Sequence, residues 1–161
     1  LPDADVPFDK LKDPWGIAGW PATKGRDGCR TPMPWDGSAG AGFSTGEPWL
    51  PIDPQQRALS VAAQEADKAS TLNLTRALVA VRKASPALSR GSLAYIQATS
   101  AGLLHVTREG EGERMLCFYN LTDSPRGLSM GEGYSLVWSH YATFEEGVIR
   151  MAPFGAIWLK A

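Results

Sequence analysis

The sequence predicts an α+β chain: a loop-rich stretch that ends in one amphipathic helix, then an antiparallel β domain from about residue 91. Three observations carry this. Pro2, Pro7, Pro14 and Pro21, followed by Gly37, Gly40, Gly42 and Gly46, deny residues 1–53 a sustained period. Leu74, Ala77, Leu78, Val81 and Ala84 recur at helical spacing. Beyond Gly91, short β-forming runs alternate with glycine-rich turns.

Residues 1–22 read as loop with one short helical turn near Phe8–Leu11. A structureless stretch of this length marks either a functional loop or a missing context. The chain opens on Leu1 and not on Met, amid turn residues, which is the expectation for a piece of something longer. Asp36–Asp53 continues as loop, with Phe43, Trp49 and Leu50 expected to tuck it against a larger body. Within Pro54–Asp67, a short helix or irregular turn is expected to begin at Pro54. Ser70 to Ala84 is the clearest helix, capped by Ser70 and closed by Pro86.

Strands are expected at Ser92–Ala98, Leu103–Arg108, Arg114–Asn120, Tyr134–Ser139, Val148–Met151 and Ala156–Leu159. Turn signals separate them at Ser100-Ala101-Gly102, at Glu109–Gly112, at Thr122–Arg126 and at Gly131–Gly133. Short strands at this spacing read as an antiparallel β-sandwich. The charged run Glu109–Glu113 reads as a solvated hairpin tip.

The chain of 161 residues carries 16 basic and 17 acidic side chains, so its overall field gives no argument for nucleic acid or an anionic membrane. No apolar run approaches a membrane span, and no leader pattern opens the sequence. Cys29 and Cys117 lie far apart with no metal or redox spacing. Buried, reduced thiols are expected, and with them a cytoplasmic setting.

Gly25-Arg26-Asp27-Gly28-Cys29-Arg30-Thr31-Pro32-Met33-Pro34-Trp35-Asp36 concentrates the chemistry. It suits neither helix nor strand, because proline removes donors and glycine costs backbone entropy. A surface loop with an Arg–Asp ion pair would account for it. So would a polar binding loop, since a guanidinium offers five donors in a rigid fork that suits paired oxygens. Asp27 reads as an acceptor that locks the loop, and Trp15 and Trp35 as loop anchors or aromatic platforms.

This run, together with Ala41–Pro51 (AGFSTGEPWLP), resembles the loop after the last barrel strand in α-glucosidases and oligo-1,6-glucosidases of the α-amylase family of glycoside hydrolases. The resemblance extends over most of the chain. It implies that residues 1–91 are the end of a (β/α)8 catalytic barrel, supplying a pocket loop and the last outer helix. Residues 92–161 would then be the β-sandwich C-terminal domain, and the rest of the barrel would lie upstream. By resemblance, Arg26 lines the pocket for the terminal glucose, paired with an upstream carboxylate and bonding a sugar hydroxyl, and Arg30 shapes the same region. The implied substrate is a short α-glucoside such as maltose or isomaltose, cleaved with retention through a covalent glucosyl-enzyme.

Cleavage of a glycosidic bond needs two facing carboxyl groups, roughly 5 to 9 Å apart. Asp3, Asp5, Asp9, Asp13, Asp27, Asp36, Glu47, Asp53, Glu65 and Asp67 precede the β domain, but none ends a recognisable barrel strand. The family's catalytic motifs are absent, so the chain by itself is expected to be inactive. No zinc or calcium spacing, phosphate loop or Ser-His-Asp set is present, and no cofactor is implied. His105 and His140 fall in strands and read as structural. The alternative is a non-catalytic carbohydrate-binding or structural β module with a long N-terminal arm.

Overall fold

A computed structural model describes residues 3–99 and 102–161. The turn expected at Ser100-Ala101-Gly102 therefore lies largely outside the described residues. Two compact units are present, residues 1–76 and 77–161, and the division falls inside a helix.

The first unit contains no strand among the described residues. A single 3-10 turn at Phe8–Lys10 stands where a helical turn was expected. The sequence reading passed over the next element, α1 (Pro14–Gly19). Its composition argues against helix, but Asp13 caps it by accepting from Trp15 N, and Pro14 sets the first φ. The segment after Pro54 is two helices. α2 (Pro54–Ala58) is capped by Asp53, and α3 (Val61–Ala66) is capped by Ser60. Val6, Leu11 and Leu50 form a small buried cluster. Leu50 is buried as expected, whereas Phe43 and Trp49 are exposed, so a single residue of that trio anchors the loop.

Helix α4 (Thr71–Ala84) follows its periodicity to within one residue, with Ser70 Oγ accepting from Asn73 N at 3.2 Å. Pro86 does close it, and then opens α5 (Pro86–Ser89), capped by Ser85.

The second unit is one curled antiparallel sheet of six strands. They are β1 (Ser92–Ala98), β2 (Leu103–Gly110), β3 (Glu113–Asn120), β4 (Arg126–Ser129), β5 (Ser135–Glu145) and β6 (Val148–Lys160). β6 organises it. One edge of β6 pairs with β5, and the other is shared, with β3 on Ala156–Lys160 and β4 on Val148–Met151. The two short strands expected in this region are thus one long bent strand. β4 was hidden because Thr122–Arg126 reads as turn up to its first residue. Asn120 pins the corner between β3 and β4, donating to the Ser124 and Ala152 carbonyls at 2.8 and 2.9 Å.

Leu116, Phe118, Ile149, Met151, Ile157 and Leu159 form the larger buried cluster of the sheet. Met115 and Cys117, on alternate positions of β3, pack with Ala87 and Leu88 of α5. Glu113 departs from the expected solvated tip. Its side chain is only 14% exposed, and its Oε2 accepts from Ser85 Oγ at 2.5 Å and from Ala87 N at 3.1 Å. It caps α5, because a carboxylate at that end satisfies orphan N–H groups. Glu111 keeps the expected role, pairing with Arg90 in solvent.

Candidate functional site

The first unit brings two segments together through a pair of buried aspartates. Asp27 Oδ2 accepts from the backbone N–H groups of Lys12 and Asp13, at 2.5 and 2.7 Å. In return Asp13 accepts from the backbone N–H of Arg26 at 2.9 Å, and its two oxygens take a forked contact from the guanidinium. Nε lies 2.9 Å from Oδ2 and Nη2 lies 3.2 Å from Oδ1. Each aspartate therefore satisfies backbone donors on the other's segment, which fixes residues 12–15 against residues 25–27.

Glycine is needed where these strands of chain cross. Gly25 has φ +68°, and a Cβ there would lie 2.9 Å from Asp13 Oδ2. A Cβ at Gly16 would lie 2.5 Å from the Lys24 carbonyl oxygen. Any larger residue at either position would push the two segments apart.

The electrostatics follow from the geometry. The side-chain hydrogen bonds from Arg26 hold the Asp13 carboxyl well below the usual carboxylate range; burial opposes them, and the N–H groups of Arg26 and Trp15 add to the lowering. The same bonds raise the Arg26 guanidinium further above its ordinary value. Asp13 is thus a fixed anion and Arg26 a fixed cation. The Asp13 side chain is 1% exposed and that of Arg26 64%, so the guanidinium is held from behind and presents its remaining donors outward.

Arg26 and Arg30 bracket one 3-10 turn, Asp27–Cys29, as its two flanking residues. Arg30 N donates to the Asp27 carbonyl at 3.0 Å. Its side chain is exposed and makes no hydrogen bond or ion pair among the described residues. Trp15 and Trp35 are both exposed. Downstream, the loop is tied to α3 by Val61 N to the Pro34 carbonyl and Ala62 N to the Trp35 carbonyl, both 3.0 Å.

This arrangement can bind oxygens but has no acid–base pair. Asp13 is committed to Arg26, and Asp27 to backbone. Among the described residues, no three His, Cys, Asp or Glu side chains are placed to hold a metal ion. His105 stacks on Phe118 at 4.3 Å between ring centroids, and burial, with Arg114 nearby, lowers its pKa. His140 lies among Trp138 and Tyr141. Cys117 is buried, with its thiol pushed up to about 11 by burial, but Cys29 is exposed, against expectation. Its Sγ lies 3.1 Å from the Arg26 carbonyl oxygen. Sequence reasoning did not single out Asp13 as the partner of Arg26; the Asp-Pro cap signal at Asp13-Pro14 marks that carboxylate as a fixed acceptor.

The sequence profile described as the α-amylase catalytic domain matches residues 3–91, more than half of the chain. The chain belongs to the α-amylase family. A protein of Rhizobium meliloti (strain 1021) named as an α-glucosidase is 43% identical over 123 residues, covering 76% of this chain and 22% of its own length. An oligo-1,6-glucosidase of Heyndrickxia coagulans is 35% identical over 101 residues, covering 63% of this chain and 18% of that protein. Among solved structures, the α-glucosyl transfer enzyme XgtA superposes with a TM-score of 0.86 at 38% identity, over 100% of this chain and 31% of that one. The resemblance carried by the arginine loop is borne out, and the chain spans a third or less of these relatives' length.

Proposed function

We propose that this chain is the C-terminal portion of an exo-acting α-glucosidase, cytoplasmic and free of cofactors, releasing glucose from short α-glucosides. On this reading residues 1–91 complete a catalytic barrel, and residues 92–161 form a β-sandwich domain into which the curled sheet closes. The observation that carries it is the Arg26 fork, anchored on Asp13 and open on its outer side. A pocket that admits one terminal glucose ends in a polar wall. A guanidinium fixed from behind offers its donors there at a set angle, without the entropy cost of ordering a free side chain. Arg30, one 3-10 turn away, extends that wall.

The chemistry belongs to carboxylates supplied by upstream barrel strands. One attacks the anomeric carbon and expels the aglycone as the other protonates it. Water, or an acceptor sugar in a transferring relative, then displaces the enzyme carboxylate with retention. The residues here bind and orient the sugar. Their contribution is transition-state binding by a charged hydrogen bond.

The exposure of Arg26 favours one competing reading, a β module with no catalytic partner. Incubating the native-length polypeptide with maltose and isomaltose, and following the anomers by NMR, separates the two. Glucose released first as the α-anomer supports the enzyme; no release from either sugar, with binding intact, supports the module.

A further inference from the structure

Arg26 and Arg30 flank one 3-10 turn, but different parts of the chain hold them. Arg26 is fixed through its own side chain by Asp13. Arg30 has no side-chain partner among the described residues, so its place is set by its backbone and by the residues on either side. On the near side its N–H donates to the Asp27 carbonyl. On the far side stands Thr31, whose hydroxyl donates to Gln56 Oε1 at 2.6 Å. Gln56 is 2% exposed and lies in α2, distant along the chain from the arginine it serves.

The arm that follows Arg30 is stiff. Thr31 and Met33 each precede a proline, which disfavours helical backbone for them, and the rings of Pro32 and Pro34 fix their own φ. Burial alternates along the arm, with Pro32 and Pro34 buried and Met33 and Trp35 exposed. Backbone bonds from Val61 and Ala62 already secure its far end at Pro34 and Trp35. The Thr31–Gln56 bond acts at the other end, next to Arg30, so the pinned arm carries the position of α2 to the arginine. Gln56 is itself well placed, because Asp53 accepts from the N–H groups of Gln55 and Gln56 at 2.7 and 3.1 Å. A glutamine this deeply buried costs free energy unless its amide is paired, and an apolar residue would serve packing alone. The amide is there for the hydroxyl it holds.

We propose that Gln56 is a positioning residue for Arg30: through the Thr31 hydroxyl it fixes where the second arginine of the sugar pocket stands relative to the first. Gln56 is buried and acts on the sugar only through Arg30. The assignment rests on the reading of the arginine loop as the pocket wall given above. An arginine carries its guanidinium on a long stem, so a small rotation of the backbone displaces the donors enough to weaken their bonds to a sugar hydroxyl. Arg26, clamped on Asp13, is insulated from that movement.

Mutant cycles in kcat/KM on maltose, with the native-length protein, test this. Thr31→Val removes the donor and Gln56→Leu the acceptor. Each is expected to lower kcat/KM about three- to tenfold, the strength of one neutral hydrogen bond, and the two together no more than either alone. Thr31→Ser, which keeps the hydroxyl, should stay within about twofold of the parent. The losses should vanish in an Arg30→Ala background and persist in an Arg26→Ala background, a pattern that general loosening of the loop would not give. Thr31 is only half-buried, so Thr31→Val carries the test if urea unfolding shows that Gln56→Leu does not fold. With Arg30→Ala impaired, an unchanged kcat/KM for Thr31→Val, or a loss that survives in the Arg30→Ala background, would overturn the positioning role alone. Parental kcat/KM in both Arg26→Ala and Arg30→Ala would instead remove the arginine loop from the sugar pocket, and the role of Gln56 with it.

Discussion

Replacing Glu113 by alanine removes three contacts at the junction of α5 and β3. The Ala87 N–H, on a fully buried residue, loses its acceptor at 3.1 Å, and an unsatisfied buried donor costs about 1–3 kcal/mol. Ser85 loses its 2.5 Å contact, which adds about 1 kcal/mol as its hydroxyl finds a poorer partner. The Lys160 pair, at 3.3 Å with the lysine half-exposed, adds less than about 1 kcal/mol after solvent screening. The expected loss is about 2–4 kcal/mol for Glu113→Ala, and about half that for Glu113→Gln, which keeps one acceptor. Glu111→Ala, two residues away with an exposed partner, should cost less than about 0.5 kcal/mol. Urea unfolding followed by circular dichroism measures all three, and amide exchange at Ala87 reports the local opening. The Ser85 hydroxyl first, then the Ala87 N–H and Lys160, hold the Glu113 carboxyl below its ordinary value against the opposing effect of burial. Its contribution is therefore full at neutral pH and lost as pH falls below the glutamate range, and Glu113→Gln should flatten that part of the profile. Equal midpoints for Glu113→Ala and Glu111→Ala would refute the capping role.

Two further outcomes follow from the first unit and the thiols. Asp13→Asn should lower the urea midpoint at pH 7 and flatten its fall below about pH 4, because the depressed carboxyl of Asp13 stabilises the fold only while ionised; an acid limb as steep as that of the parent would contradict this. A disulfide reagent at neutral pH should titrate the exposed Cys29 and spare Cys117, whose thiol is buried and pushed up to about 11, until urea unfolds the chain. Two fast thiols in the native protein would count against the burial of β3.

Much of this was legible in the residues. Helix α4 has an unbroken apolar period and a serine cap, and β1 to β3 alternate between clear turn residues, so local signals and tertiary structure agree. Legibility failed where a distant partner overrides local preference. Helix α1 contains two glycines, and it holds because Asp13 caps it and Asp27 in turn binds the Asp13 N–H, fourteen residues along the chain. β6 continues through Pro153 and Gly155 because β5 spans the kink along the same edge. Glu113 reads as one more charge in a polar tip until α5 is placed over it. The arginine loop was recognisable by its motif, while the identity of its anchoring carboxylate was not, since ten acidic residues precede the β domain and the Asp-Pro cap signal that marks Asp13 also marks Asp53.

The role of Arg26 is tested most directly by kcat/KM of the native-length protein and its Arg26→Ala variant on maltose and isomaltose. The account predicts a loss of roughly 30- to 900-fold, the range for a charged hydrogen bond realised in the transition state, with the urea midpoint of the β domain unmoved. Arg26→Lys should recover little, since an ammonium cannot reproduce the fork on Asp13. An unchanged kcat/KM in a folded Arg26→Ala protein would remove the arginine loop from the sugar pocket.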